Sequence, residues 1–183
     1  MDQCLGINWY GSSVKTVQDA ACRLAEILAA TGKYVQAYFP PDLPVCRFPA
    51  TASNRVSDTP IKSHSPSSPA QVAVVLDARL LKYADSREDI RKQPLLVINT
   101  ALDPALIKEK LNLAVNQVLC LDIGDCTPPY IPLFILLVDR LGILPPEVFK
   151  KRLEAFLSTQ IKAELLAEQL KGIDRVLQEV REA

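Results

Sequence analysis

The sequence predicts an α/β domain with a mostly parallel sheet, and three observations carry that prediction. First, three short apolar runs, QVAVVLD at 71–77, QPLLVINT at 93–100 and QVLCLDI at 117–123, have the composition of strands buried on both faces. Second, segments of helical length separate these runs, and such alternation places helices on both faces of a parallel sheet. Third, the chain opens with a strand–turn–helix unit of the kind that begins a Rossmann-like fold. Together they predict a single Rossmann-like three-layer domain over residues 1–183, ending in a helical segment from about 145 to 183.

Each element follows from local chemistry. The apolar run Gln3–Tyr10 suits a buried strand and stops at Gly11. Ser12 and Ser13 are good N-caps, and Val14, Val17, Ala21, Leu24, Ala25 and Leu28 then recur at helical spacing. Gly32 supplies the C-terminal stop. Lys33–Phe39 alternates as a second strand. Residues 40–69 hold seven of the 14 prolines, with a short strand near Ala52–Ser57; so long an irregular stretch is usually functional or an interface. Asp103 caps a helix that has Pro104 at its first position.

The last third is helical. Pro128 and Pro129 precede a buried helix over Ile131–Leu141, and Gly142 ends it. Pro145 and Pro146 open another, with Val148, Phe149, Leu153, Phe156 and Leu157 on one face. From Ile161 the positions Leu165, Leu166, Gln169 or Leu170, Ile173, Val176, Leu177 and Val180 form a final amphipathic helix, which packs on its own domain or docks on a partner.

Composition narrows the function. Twenty-one basic and 21 acidic residues cancel, which argues against a nucleic-acid binder. No signal peptide follows Met1, and the Ile131–Val138 run is well short of the ~20 residues of a membrane helix, so the expected location is cytoplasmic. Cys4, Cys22, Cys46, Cys120 and Cys126 are widely spaced and contain no C-x-x-C, so neither a zinc nor an iron–sulfur ligand run is present. His64, the only histidine, lies in a serine-rich loop and is not expected to be catalytic. Arg47 and Arg55 are candidates to face an anion. Asp77 ends a strand at the carboxyl edge, where it would cap the next helix or meet a ligand. Asp122 and Asp125 flank Gly124 and suit a turn better than a metal. No catalytic residue and no metal ligand is expected.

Three ordered blocks carry a family resemblance. They are Gly32-Lys33-Tyr34-Val35-Gln36-Ala37, then Arg55-Val56-Ser57-Asp58-Thr59-Pro60-Ile61 with Ser65-Pro66, then Val72-Ala73-Val74-Val75-Leu76-Asp77. Leu95–Asn99 sits where a further strand belongs. The chain resembles the gamma subunit of pyruvate and related 2-oxoacid:ferredoxin oxidoreductases, continuously from Trp9 to Asp77 and more loosely to about Phe156. The resemblance implies a Rossmann-like α/β fold. It also implies a role in an assembly that oxidatively decarboxylates a 2-oxoacid to an acyl-CoA and passes electrons to ferredoxin. Alpha, beta and delta-type subunits and a gamma–gamma contact are implied partners. Thiamine diphosphate, magnesium and iron–sulfur clusters are expected on those partners, and coenzyme A is the one ligand associated with the gamma chain.

Two loops depart from the family. Where the family resembles G-x-G-G-Q-G, this chain has Gly11-Ser12-Ser13-Val14-Lys15-Thr16, and only the first glycine remains. Where the family has a G-P-E-R-R-G-like stretch, Asp42-Leu43-Pro44-Val45-Cys46-Arg47 stands instead. Glycines in such loops let backbone N–H groups approach a phosphate. The site is therefore either vestigial in a structural subunit or modified, with the hydroxyls of Ser12, Ser13 and Thr16 and the Lys15 charge as a cradle. The expected cofactor-binding residues are Gly11, Ser12, Ser13, Lys15 and Thr16. A free-standing Rossmann-like protein that binds coenzyme A or a nucleotide is the alternative. An independent NAD enzyme is disfavoured because G-x-G-x-x-G is missing.

Overall fold

A computed structural model of the chain describes residues 4–40, 49–62, 70–83, 88, 90–113, 117–124, 126 and 128–183. Its centre is β1 (Leu5–Gly11), which starts two residues later than the sequence suggests and includes Gly11. Ser13 then caps α1 (Val14–Ala29), its Oγ accepting from the Thr16 N–H at 3.4 Å. The helix buries Val17, Ala20, Ala21, Leu24, Ile27 and Leu28 against the sheet, and Gly32 turns the chain at φ +90°. A β-carbon at φ +90° is strained, which is why glycine serves as the stop. The next strands are β2 (Tyr34–Tyr38) and β3 (Ala50–Ser57), followed by β4 (Val72–Val75) and a short 3-10 turn at Ala78–Lys82. Then come β5 (Leu95–Asn99), α2 (Pro104–Leu111) and β6 (Gln117–Leu121). Asp103 caps α2 by accepting from the Ala105 N–H at 2.7 Å.

Among the described residues there are seven strands, the last being β7 (Arg181–Glu182), and they are ordered β2-β3-β1-β4-β5-β6-β7. β1, β4, β5 and β6 are parallel, whereas β3 runs antiparallel to both β1 and β2. Five of the seven strands run the same way, so the mostly parallel expectation fits loosely: β3, inserted beside β1, and β7 run against them, and three of the six pairings are antiparallel. The run near Ala52–Ser57 that suggested a short strand is this β3, and it begins at Ala50. On β2, an edge strand, Tyr34 is exposed and the rest are half-buried, and the alternate residues Val35 and Ala37, with Phe39 just beyond the strand, are the ones packed against the core.

Two apolar clusters lie on opposite faces of the sheet. The larger joins Ile7 and Trp9 of β1 to α1, to α3 (Ile131–Arg140) and to α4 (Pro146–Ser158). The smaller joins Val75, Leu96, Ile98 and Cys120 to Leu80, Ile90 and the buried side of α2, and takes only Tyr10 from β1. Within α3 every residue from Ile131 to Val138 is buried, as expected of a run apolar on all sides. Inside the larger cluster the Tyr130 and Phe134 rings stack at 5.3 Å, and Trp9 meets Phe134 edge-on at 5.8 Å.

The helical end departs from expectation in three places. In α4, Phe149, Leu153 and Leu157 are buried, but Val148 is 44% exposed at the margin of the apolar stripe. In α5 (Ala163–Gln178), Ile173 is buried but Leu165 is 52% exposed. The third departure is β7 (Arg181–Glu182), which pairs antiparallel with β6. The Arg181 guanidinium donates to the Thr100 carbonyl at 2.7 Å and also to that of Ala101. Two residues give no period to detect, so this strand has no signal in the sequence.

Candidate functional site

The carboxyl ends of parallel strands leave backbone groups and helix N-termini facing one crevice, which is where ligands bind in open α/β sheets. Here the ends of β1, β4 and β5 frame a cavity of about 460 Å³. Its wall includes Gly11, Ser12, Ser13 and Thr16 from the first loop, Asp77 and Arg79 after β4, and Asn99 and Pro129. Four of the five loop residues singled out from the sequence are thus brought together. The fifth, Lys15, is exposed and outside the cavity wall.

Gly11 has a packing reason to be glycine. A β-carbon there would come within 2.7 Å of Val17 Cγ1, and no positive φ is involved. The surviving glycine of the loop therefore lets the first turn of α1 close onto β1.

Asp77 dominates the electrostatics. Its Oδ1 accepts from the Arg79 N–H at 3.0 Å, and the guanidinium engages both oxygens, Nε at 2.9 Å from Oδ1 and Nη2 at 2.7 Å from Oδ2. The Arg79 side chain holds the carboxyl below its ordinary value, with the Arg79 backbone N–H and the Ser12 hydroxyl acting in the same direction. So Asp77 caps the 3-10 turn, as expected of an aspartate there. Asp77 and Ser12 line the same cavity, so the β4 loop faces the β1 loop there although the two residues are far apart in sequence. Because the folded pKa of Asp77 is lowered, the stabilisation it contributes is full above the unfolded value of 3.8 and is lost as pH falls through the folded one. Asp77→Asn is expected to lower the thermal midpoint near neutral pH, and the gap to the parent should close as pH drops below ~4. A gap that stayed constant over that range would contradict the assignment.

Asn99 fixes the far wall. Its Nδ2 donates to the Leu76 carbonyl at 3.1 Å, and its Oδ1 accepts from the Ile123 N–H at 3.1 Å. Arg79, Asn99 and Pro129 were not singled out from the sequence. The carboxyl-end rule applied to LLVIN would have found Asn99, and the guanidinium two residues after Asp77 would have pointed to Arg79.

The remaining candidates lie elsewhere. Arg55 stands opposite Gly6 at the amino end of β1, five residues and about 16 Å of strand from the Gly11 end. Asp122 accepts from the Gly124 N–H at 3.1 Å, a turn role. Arg47, Cys46, His64 and Asp125 lie outside the described residues. Cys120 is buried, and burial pushes its thiol up to about 11. Among the described residues, no group of three or more His, Cys, Asp or Glu could hold a metal ion.

The geometry limits the chemistry. Of the four free N–H groups that open α1, that of Thr16 is taken by the Ser13 Oγ. An entering phosphate would also meet the Asp77 carboxylate, whose one cationic neighbour in the wall is already paired. Among the described residues, no histidine or thiol lines this wall.

Comparison with known proteins then adds family context. The family model described as pyruvate ferredoxin/flavodoxin oxidoreductase matches residues 9–179. A pyruvate synthase subunit, PorC, of Thermotoga maritima is 28% identical, covering 96% of this chain and 94% of that subunit. The common gamma subunit of the pyruvate/ketoisovalerate oxidoreductases of Pyrococcus abyssi is 33% identical over 57% of each chain. The crystal structure of a Thermotoga maritima pyruvate oxidoreductase subunit superposes with a TM-score of 0.75 at 25% identity, covering 98% of both chains.

Proposed function

Because this chain belongs to the pyruvate ferredoxin/flavodoxin oxidoreductase family, where it is a gamma-type subunit of a 2-oxoacid oxidoreductase, we propose that its part in the enzyme is architectural. The assembly would oxidatively decarboxylate a 2-oxoacid to an acyl-CoA and pass the electrons to ferredoxin in the cytoplasm. The observation that carries the architectural reading is the Asp77–Arg79 pair, which puts a paired carboxylate into the wall where the family loop would receive a phosphate. The loop of Gly11, Ser12, Ser13 and Thr16 is on this reading a degenerate coenzyme A or nucleotide site, with Lys15 pointing away from use.

Residues 1–183 act as one domain. Support comes from α4 and α5, which pack on the larger sheet-side cluster, and from β7, which joins the sheet edge. Alpha, beta and delta-type subunits are the expected partners, with a gamma–gamma contact between copies. Thiamine diphosphate, magnesium and iron–sulfur clusters are expected on those partners, as the family membership implies. No helix among the described residues is long and apolar enough to cross a membrane. The free-standing binding-protein alternative finds no support in the family matches.

Two measurements test the proposal. The tagged chain expressed with its cellular partners should retain alpha and beta subunits through purification, and recovery of the chain alone would count against the assembly. Millimolar coenzyme A should leave the thermal midpoint unchanged. A rise that Thr16→Val removes would restore the modified-cradle reading.

A further inference from the structure

We infer that a second cavity, beneath the last helix, binds an elongated monocarboxylate with an apolar body. This goes beyond the subunit role proposed above and does not depend on it. The cavity measures about 460 Å³, within the range of small-molecule sites. Its floor is apolar: Ile123, Ile131 and Ile173 are each at most 3% exposed.

Gly172 is the informative wall residue. It lies inside α5, where glycine weakens a helix relative to alanine. Among the described residues, neither packing nor turn geometry demands it: a β-carbon there would meet only Cys126 Sγ at 4.0 Å, an ordinary contact, and φ is not positive. What the missing methyl does is keep the cavity open. Leu165 borders the same space while 52% exposed, so an apolar side chain stands there without cover from its own chain.

The charges give the ligand a direction. Glu168 and Arg175 line the wall on either side of Gly172, seven residues apart and so about 10 Å along the helix. The neighbouring Asp174 is engaged by Lys150 at 2.9 Å, and no ion pair to Arg175 is present among the described residues. A carboxylate therefore fits at Arg175, the apolar body over Gly172, and an uncharged end near Glu168. A second carboxylate at that far end would be repelled.

Calorimetric titration of the full chain tests this with carboxylates of increasing length, then with octanoate, octanedioate and octanol. Affinity should rise roughly fourfold per added methylene until the cavity is filled. Octanoate should bind about tenfold more tightly than the diacid or the alcohol, in keeping with one charge-assisted contact. Arg175→Gln should weaken octanoate and leave octanol unchanged. Gly172→Ala should raise the thermal midpoint while weakening octanoate several-fold. The inference is overturned by absence of octanoate binding at millimolar concentration, by equal binding of acid, diacid and alcohol, or by a Gly172→Ala variant that is more stable yet binds unchanged.

Discussion

Asn54→Leu is expected to destabilise the chain by about 3 kcal/mol, because two buried polar groups lose their partner at once. Asn54 is fully buried on β3. Its Oδ1 accepts from Trp9 Nε1–H at 2.7 Å, and its Nδ2 donates to the Ala21 carbonyl at 2.9 Å. One amide thereby joins β3 to β1 and to α1. Leucine has a similar shape, so the loss should reflect unmet hydrogen bonding more than a void. An indole N–H left in an apolar core costs roughly 1–3 kcal/mol, and the helix carbonyl adds less because it still accepts within α1. Asn54→Asp should be worse, since it brings a charge into the core and faces it toward the Ala21 carbonyl. Urea unfolding measures both, and a change below about 1 kcal/mol for the leucine variant would show that the amide is dispensable.

Phe134→Ala carries the other large expected effect, about 4 kcal/mol. The ring is fully buried on α3. Its loss removes the 5.3 Å stack on Tyr130 and the 5.8 Å edge contact with Trp9, as well as the transferred apolar area. Phe134→Leu should recover more than half of the loss, because most of the volume returns while the aromatic geometry does not. Tyr130 follows Pro129 of the carboxyl-edge cavity, so the alanine variant should also loosen that wall. Amide exchange at Ile131, whose N–H donates to the Pro128 carbonyl at 3.3 Å, would report it, and unchanged protection there would confine the effect to the core.

These two positions differ in how visible they are in the sequence. Phe134 lies in IPLFILLV, a run so apolar that burial follows from composition. Asn54 lies in ATASNRVS on the alternate positions shared with Ala50, Ala52 and Val56, so the period turns it inward but does not say which groups it bonds there. The three parallel runs, the Ser13 and Asp103 caps and the glycine stops at 32 and 142 were legible because each depends on chemistry within a few residues. The antiparallel insertion of β3 was not, since strand order depends on which edges meet after folding. The site divides in the same way. Gly11, Ser12, Ser13 and Thr16 came from a local loop pattern, whereas Ser12 and Asp77 lining one cavity required β1 and β4 to be neighbours. Lys15 was drawn in by its charge, although a position next to Val14 in a helix that buries Val17, Ala21 and Leu24 has its side chain turned away from the strand ends. Val148 and Leu165 failed because a spacing rule marks a stripe and does not fix its width.

The chain contains a single tryptophan, and Trp9 is fully buried, bonded through its indole nitrogen and set edge-on to a phenyl ring. Its fluorescence is therefore a built-in gauge of the sheet's centre. Emission should be blue-shifted in the native chain and nearly untouched by iodide, which cannot reach the ring. A red shift on unfolding would then follow the joining of β1, β3, α1 and α3 as one optical signal, without any added label.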